Sequence, residues 1–490
     1  MDSITMTTEQ QLPKGWEIKR LGDVLKIQNG YAFKSVEFIK ENPKNTHIPL
    51  IRQSQLVGNT VDLSDCVFLD KKYLSDKKNY IVNKGDILIG MSGSIGKVSF
   101  YEDERPALLN QRVGKLNLYN HDTFQKDFFA YLLINLEQSI IQTAKGMGVQ
   151  NISSKDIEQL QIPIPPFDTQ QAIVNKIESL FDEIDEGVGR LKTTAQQIQQ
   201  YRQSLLKNAF NGELTKEWRS KHADTLPSEN ELLAQIQTAR EQHHAQQLDD
   251  WQTAVSQWEQ NGKEGKKPSK PKAPTQTIKF EENFAGLPRG WGAIKINQVA
   301  EIFTGATPLK SNANYYENGS IPWVTSGSLN NEFVDSADSF VTDLALKETN
   351  LKLLPKHTLL VAMYGEGKTR GKCSELLIEA TTNQAIAGIV LNEKYPISRK
   401  FLKFYMFKNY ADIRRQSSGG VQPNLNLSLV GNIIFPLPCL AEQTQIVAIL
   451  ENKLTACDQL AAELAKQLKQ ADLLKQAVLK AAFSGNLLDK

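Results

Sequence analysis

Two stretches of this chain bring glycine, lysine and hydroxyl side chains close enough together to suggest phosphate chemistry. LLVAMYGEGKT, from Leu359 to Thr369, reads as an apolar strand running into a glycine-rich loop. The phosphate loop GxxxxGK[ST] needs glycine where Ala362 stands, and the related LIGMSGSIGKVS, from Leu88 to Ser99, also misplaces that glycine. No GxGxxG opens a helix, so a dinucleotide or methyl-donor fold has no fingerprint here. The six histidines are scattered, and His243 and His244 fall on a polar helical stretch rather than beside a candidate nucleophile. Cys66, Cys373, Cys439 and Cys457 form no CxxC pair, which argues for buried or incidental thiols over a disulfide framework or zinc site. A self-sufficient enzyme is the weaker class, and no catalytic residue or metal ligand is assigned.

What remains is recognition chemistry on loops between strands. The first half of the chain offers Arg52 and Gln53 after HIPLI, then Ser92, Ser94 and Lys97, then Asn110, Gln111 and Arg112, then Gln150 and Asn151. The second half offers Thr325 and Ser326, then Tyr364, Lys368, Arg370 and Lys372, then Asn383 and Gln384, then Gln422 and Asn424. Arg and Lys can bond guanine edges, Asn and Gln can bond adenine through both amide atoms, and hydroxyls and lysines suit phosphates. The same amides can instead satisfy buried backbone groups, so residue types alone leave both readings open. Overall charge does not decide between them. With 57 Lys and Arg against 55 Asp and Glu the formal charge is +2, so any nucleic-acid surface must be local.

The elements that must position these residues are written twice. Trp16 of LPKGW returns as Trp291 of LPRGW, and Gly30 as Gly305, both 275 residues on. KGDILIGM returns as KHTLLVAM, Asn110 and Gln111 as Asn383 and Gln384, and Pro163 and Pro165 as Pro436 and Pro438, at offsets of 272 or 273. A repeat of this length describes two bodies built alike. Each carries short β-like runs, DILIGM and VGKLNL in one, TLLVAM and AIAGIVL in the other, with one helical stretch apiece. The expected fold is mixed α/β (α+β): two similar globular domains, each followed by a long helix, related by a pseudo-two-fold internal repeat.

The helices announce themselves by heptad spacing. Ile177, Ile184, Leu191, Ile198 and Leu205 recur every seven residues, and Leu450, Cys457, Leu464, Ala471 and Val478 hold the same slots 273 residues on. Ile173, Leu180 and Tyr201, with Ile446, Leu460 and Leu474, fill part of a second seam position. Each stripe could pack on its own body; equal length and phase favour an antiparallel coiled coil, which buries both. Gly212 and Gly485 stand where a glycine would stop each helix. Boundaries follow at 12–166, 167–212, 213–286, 287–438 and 439–490. Residues 213–286 have no counterpart and read as a polar, partly helical linker ending in the lysine- and proline-rich NGKEGKKPSKPKAP. The N-terminus lacks the basic and apolar regions of a signal peptide, and no run reaches the roughly 18 apolar residues of a membrane span. A soluble, cytoplasmic protein is expected.

In the order of its repeated segments the chain resembles the specificity subunits of type I restriction-modification enzymes. The segments are LPKGW and LPRGW, IPIPPFDTQQAIVNKI and FPLPCLAEQTQIVAIL, and AFNGELTKEWR and AFSGNLLDK. The resemblance implies a non-catalytic reader of double-stranded DNA, with two target-recognition domains held apart by an antiparallel helix pair, each reading half of a split, asymmetric site. It implies that Asp168–Phe210 and Ala441–Phe483 are the spacer helices and dock two modification subunits. S-adenosylmethionine would sit on those subunits, ATP would serve the restriction subunits in cleavage, and magnesium would also sit on partner subunits, with none on this chain. Two other readings fit the repeat: a coiled-coil adaptor with two protein-binding domains, or the specificity part of another class of restriction system.

Overall fold

IPLI, ILIG and LLVA are apolar throughout and become strands buried at every position, the pattern of strands covered on both faces. The computed structural model describes residues 12–41, 46–144, 151–271, 273, 286–364, 369–418 and 425–488. Its contacts divide the chain into two compact units, Met1–Thr193 with Glu463–Lys490, and Thr194–Ala462.

The first unit includes β1 (Glu17–Arg20), β2 (Leu25–Asn29), β3 (Ile48–Ile51), β4 (Ile87–Gly90), β5 (Val98–Phe100), β6 (Ala107–Leu109), β7 (Val113–Leu118), α1 (Lys126–Asn135), β8 (Gln161–Ile164) and the start of α2 (Phe167–Phe210). β2, β7, β4 and β5 lie in that order, antiparallel, within one sheet. β3 runs parallel to β6, and β1 pairs antiparallel with β8.

The second unit holds α3 (Glu229–Gln260), β9 (Gly292–Lys295), β10 (Ala300–Thr304), β11 (Ile321–Val324), β12 (Leu359–Ala362), β13 (Cys373–Leu376), β14 (Thr381–Thr382), β15 (Ile386–Leu391), α4 (Arg399–Ser418), β16 (Ile434–Leu437) and the start of α5 (Leu440–Phe483). The connections repeat: β10, β15, β12 and β13 in order, β11 parallel to β14, β9 antiparallel to β16. The expected strands form, and so does the helix of the second body; the helical stretch of the first body is divided at Leu136 into Lys126–Asn135 and Glu137–Thr143.

Each core is completed by the tail of the other half's helix. In the first unit Phe483 lies edge-on to Phe128 at 5.3 Å, beside Ile27, Ile89 and Ile177. In the second Phe210 packs on Phe401 at 5.1 Å, beside Trp291, Phe435 and Leu450. The repeated opening phrase closes these joints. Gly485 ends α5 at φ +81°, and a Cβ on it would stand 2.1 Å from Pro13; Gly212 ends α2 at φ +83°, and a Cβ there would stand 2.2 Å from Pro288. Glycine is required both for the left-handed turn and for the proline that lies against it.

α2 and α5 each run 44 residues, one longer at the start than expected. Within the first unit Leu180 and Ile184 face Leu474 and Val478, and farther along α2 Leu191 faces Gln467 and Ala471, so the two run antiparallel. Lys475 donates to Asp185 at 2.6 Å and lies over the Phe181 ring. Within the second unit Ile198 and Tyr201 face Ala456, Cys457 and Leu460, and Arg202 pairs with Asp458. Every first-seam residue is buried or half-buried.

Two expectations need correction. Tyr201, Leu460 and Leu474 are exposed, at 47%, 56% and 53%. Ile173 and Ile446, in the same seam position, are buried by the globular cores, so one partner helix alone does not cover that stripe. Residues 213–286 are also more than a linker. Leu232 and Ile236 of α3 are fully buried in the second core, and residues 265–270 of the lysine-rich stretch lie back against α3. There Trp251 and Trp258 donate to the carbonyls of Pro268 and Gly265, under Lys270 and Lys267. All four cysteines are buried and free. Among the described residues no helix is long and apolar enough to cross a membrane.

Candidate nucleic-acid interface

Which loops meet is decided by the parallel strand pair. Parallel strands end at the same edge, so the residues after β3 and those after β6 emerge side by side. The Asn110 N–H donates to the Ile51 carbonyl at 2.9 Å, which sets Arg52 and Gln53 beside Asn110, Gln111 and Arg112. The β4–β5 hairpin joins them: the Met91 N–H donates to the Arg112 carbonyl at 3.0 Å, and the Ser94 hydroxyl to the Gln53 carbonyl at 3.0 Å. Ser92 bridges to Asn151. Gly30 explains its own repetition, because a Cβ there would lie 2.3 Å from the Asn110 carbonyl oxygen.

The second unit repeats this backbone with other side chains. The Asn383 N–H donates to the Val324 carbonyl at 3.0 Å, and the Met363 N–H to the Ala385 carbonyl at 2.7 Å. A Cβ on Gly305 would lie 1.8 Å from the Thr382 carbonyl oxygen. Thr325 and Ser326 therefore stand beside Asn383 and Gln384, with Tyr364, Arg370 and Lys372 in the hairpin between β12 and β13. Gln150, Lys368, Gln422 and Asn424 lie outside the described residues.

The structure separates frame from surface among these candidates. Asn110 Oδ1 accepts from the Arg112 N–H at 3.3 Å and Asn383 Oδ1 from the Ala385 N–H at 3.1 Å, so both asparagines hold a turn. Ser92 is buried, and the Ser94 hydroxyl is used within the fold. Gln111, Arg112, Lys97, Asn151, Gln384 and Tyr364 are exposed, whereas Arg52, Gln53, Thr325, Ser326, Arg370 and Lys372 are half-buried. Arg52 Nε and Gln53 Oε1 are buried atoms without a hydrogen-bond partner. Lys372 donates to Asn330 Oδ1 at 2.8 Å.

Burial pushes the Glu137 carboxyl above its ordinary range, and the positive charge of Lys97 nearby partly counters that. Sequence reasoning missed Tyr31 and Lys77: Tyr31 bridges to Asn110, and the Lys77 ammonium sits 3.9 Å over its ring. Tyr31 had a signal, since it directly follows the repeated Gly30; Lys77 had none. Asn330, which holds Lys372, was also missed. Among the described residues no group of three His, Cys, Asp or Glu side chains could hold a metal ion.

Comparisons with known proteins find the same repetition in the chain. The family described as the type I restriction modification DNA specificity domain matches residues 13–191 and again 288–470. The specificity subunit of the type I restriction enzyme EcoBI from Escherichia coli is 32% identical over 205 residues, 41% of this chain and 40% of that protein. That of EcoDI, also from Escherichia coli, is 23% identical over 395 residues, 77% of this chain and 75% of that protein. The chain spans less than half the length of the EcoBI and EcoKI subunits it matches. In fold it is similar to a chain from a structural study of type I R-M system assembly and conformational transition, with a TM-score of 0.64, 16% identity, and 97% and 100% of the two chains covered. The HsdS subunit from Thermoanaerobacter tengcongensis follows with a TM-score of 0.51, 15% identity, and 98% and 99% covered. With two matched regions that together span most of its length, the chain belongs to the family of type I restriction modification DNA specificity domain proteins.

Proposed function

We propose that this protein is the non-catalytic, sequence-reading subunit of a type I restriction-modification assembly. One observation carries the reading: two loop clusters share backbone hydrogen bonds at matching positions and differ in the side chains they expose. A common frame with unlike surfaces is what a reader of two unlike half-sites needs. In the first unit Gln111 and Arg112 suit adenine and guanine edges, and Lys97 suits phosphate; in the second Gln384, Arg370 and Lys372 take those parts. The domains read as 12–166 and 287–438, one for each half of a bipartite duplex site. At 1.5 Å per residue each 44-residue helix spans about 66 Å, against roughly 34 Å for a duplex turn, so the helices suit a spacer between half-sites. The exposed Tyr201, Leu460, Leu473 and Leu474 on those helices support docking of two methyltransferase subunits. S-adenosylmethionine, ATP and magnesium belong to partner subunits, where methylation and cleavage take place.

The test is a map of adenine methylation in cells that carry this protein with its partners. A bipartite motif with a fixed gap, lost when this protein is deleted, is expected. A continuous motif, or a motif unchanged by the deletion, refutes the reading.

A further inference from the structure

A buried ion pair in the second unit stands where the first unit has apolar packing. Strand register matches the two places: Phe100 of β5 opposes Ile87 of β4, and Glu375 of β13 opposes Leu359 of β12. α1 and α4 also start alike. The Gln125 N–H donates to Gln170 Oε1, and 273 residues on the Ser398 N–H donates to Gln443 Oε1. Five residues into each helix, Ala130 corresponds to Lys403. Phe100 packs on Tyr131 at 6.0 Å, whereas the Glu375 and Lys403 side chains, each 4% exposed, meet at 3.1 Å. Burying two charges is often no more stabilising than packing apolar side chains of similar volume, so cohesion alone does not call for this pair.

What the pair adds is a grip on the turn that follows β11. Lys403 Nζ also reaches Glu332 Oε1 at 3.0 Å and stands 4.2 Å over the Phe333 ring. Glu332 closes the segment 325–332, which begins with Thr325 and Ser326 of the candidate interface. The end of that segment lies along β13. Lys372 Nζ donates to Asn330 Oδ1 at 2.8 Å, the Ser374 hydroxyl to the Asn331 carbonyl at 2.6 Å, and the Glu375 N–H to the Glu332 carbonyl at 2.9 Å. The first unit keeps the last two bonds, from the Ser99 hydroxyl to the Gly58 carbonyl and from the Phe100 N–H to the Asn59 carbonyl. Three positions therefore change together: Asn59, Phe100 and Ala130 in one unit are Glu332, Glu375 and Lys403 in the other.

We propose that Lys403 is a positioning residue for DNA reading by the second unit: through Glu332 it holds residues 325–331, and with them Thr325 and Ser326, against the β12–β13 hairpin. This rests on the proposed reading of a bipartite site and adds that one half-site's specificity depends on an ammonium buried in the fold. Two variants remove the grip in different ways. Glu332→Gln takes away the exposed carboxylate and leaves Lys403 on Glu375, so the unfolding midpoint should be that of the parent. Glu332→Asn/Glu375→Phe/Lys403→Ala writes the first unit's residues into all three positions. It strands no fully buried charge, because Arg399 and His357, which also contact Glu375, are half-buried and exposed. Each variant is assembled with its modification subunits, and methylation is timed on duplexes carrying the mapped site or a single-base change in either half. Expected are at least a fivefold loss of discrimination in the half-site that Gln384→Ala also relaxes, no loss in the other, and faster amide exchange within residues 326–332 of the free protein. If the triple variant does not fold, Glu332→Gln decides. Unchanged discrimination or unchanged exchange in a folded variant, or an equal loss in both half-sites, overturns the proposal. A parent that shows no bipartite site refutes the functional reading itself, and this proposal with it.

Discussion

The carboxylate of Glu442 is the strongest single test of how the second unit is held together. It is 1% exposed and accepts three bonds: from Trp291 Nε1 at 2.8 Å, from the Thr215 hydroxyl at 2.7 Å and from Arg219 at 2.5 Å. These donors come from the repeated opening phrase and from the segment that follows α2, so one side chain ties both to the start of α5. Glu442→Gln keeps the shape, removes the charge and turns an amide N–H toward the guanidinium. Breaking a buried pair by removing one partner costs about 3–5 kcal/mol. At roughly 2–4 °C per kcal/mol for a unit of this size, the lower figure corresponds to a drop of about 6–12 °C in the unfolding transition of the second unit. Scanning calorimetry with hydrogen exchange assigns the transition to a unit, since two units need not melt together. Arg219→Met in the Glu442→Gln background should recover part of the loss, because the stranded charge is then gone. Thr169 occupies the matching position of α2 and is half-buried, and Thr169→Ala should cost under about 1 kcal/mol. A drop below about 2 °C for Glu442→Gln, or an equal loss in the first unit, would falsify the assignment.

Gly305→Ala forces a Cβ to within 1.8 Å of the Thr382 carbonyl oxygen, and should destabilise the second unit by about 1–3 kcal/mol or more, read as a lower urea midpoint. Gln111→Ala should relax the methylation motif in one half-site only and Gln384→Ala in the other, each by about 1–3 kcal/mol of discrimination, with stability within about 0.5 kcal/mol of the parent. Motif changes in both halves from either variant contradict the division between units. The last prediction concerns acid. Burial raises the Glu375 carboxyl, but its bond to Lys403, the Lys403 charge, His357 and Arg399 outweigh this and hold it below its ordinary value. A carboxyl lowered in the folded state contributes stability that is present above the unfolded value of about 4.3 and fades as pH falls through the folded value. Glu375→Gln should therefore be less stable than the parent near pH 7, and the gap should narrow below about pH 4, as measured by urea unfolding across that range.

Backbone architecture was legible because it was written twice. Alternating turns and apolar runs located the strands, and the heptads located helices that the structure extends by one residue each. Side-chain roles were legible only in part. Asn110 and Asn383 look like base readers by type, yet each accepts an N–H two residues on, a contact that depends on a turn no single residue type announces. Glu442, Arg219 and Trp291 lie far apart in sequence and meet only because the tail of one helix packs at the head of the other. The second seam failed for a related reason. Spacing tells which residues share a helix face, whereas burial depends on what covers that face, and at Tyr201 and Leu460 a single partner helix leaves it open.

The exchange of helix tails gives the repeated phrases a mechanical meaning. Pro13 of LPKGW lies against Gly485 of AFSGNL, and Pro288 of LPRGW lies against Gly212 of AFNGEL, so each opening phrase is complementary to the closing phrase of the other half. Phe483 fills the first core and Phe210 the second. Neither half of the sequence contains everything its own core requires. Each body is finished only when the long helix from the other half arrives, antiparallel and in register, and the register is fixed by the same glycine and phenylalanine that close the core. Whatever the exposed loops of the two bodies bind, the helices that link them are components of both cores. A change in helix register is therefore a change in core packing, and a shift that leaves Phe210 or Phe483 out of place cannot be absorbed by the loops.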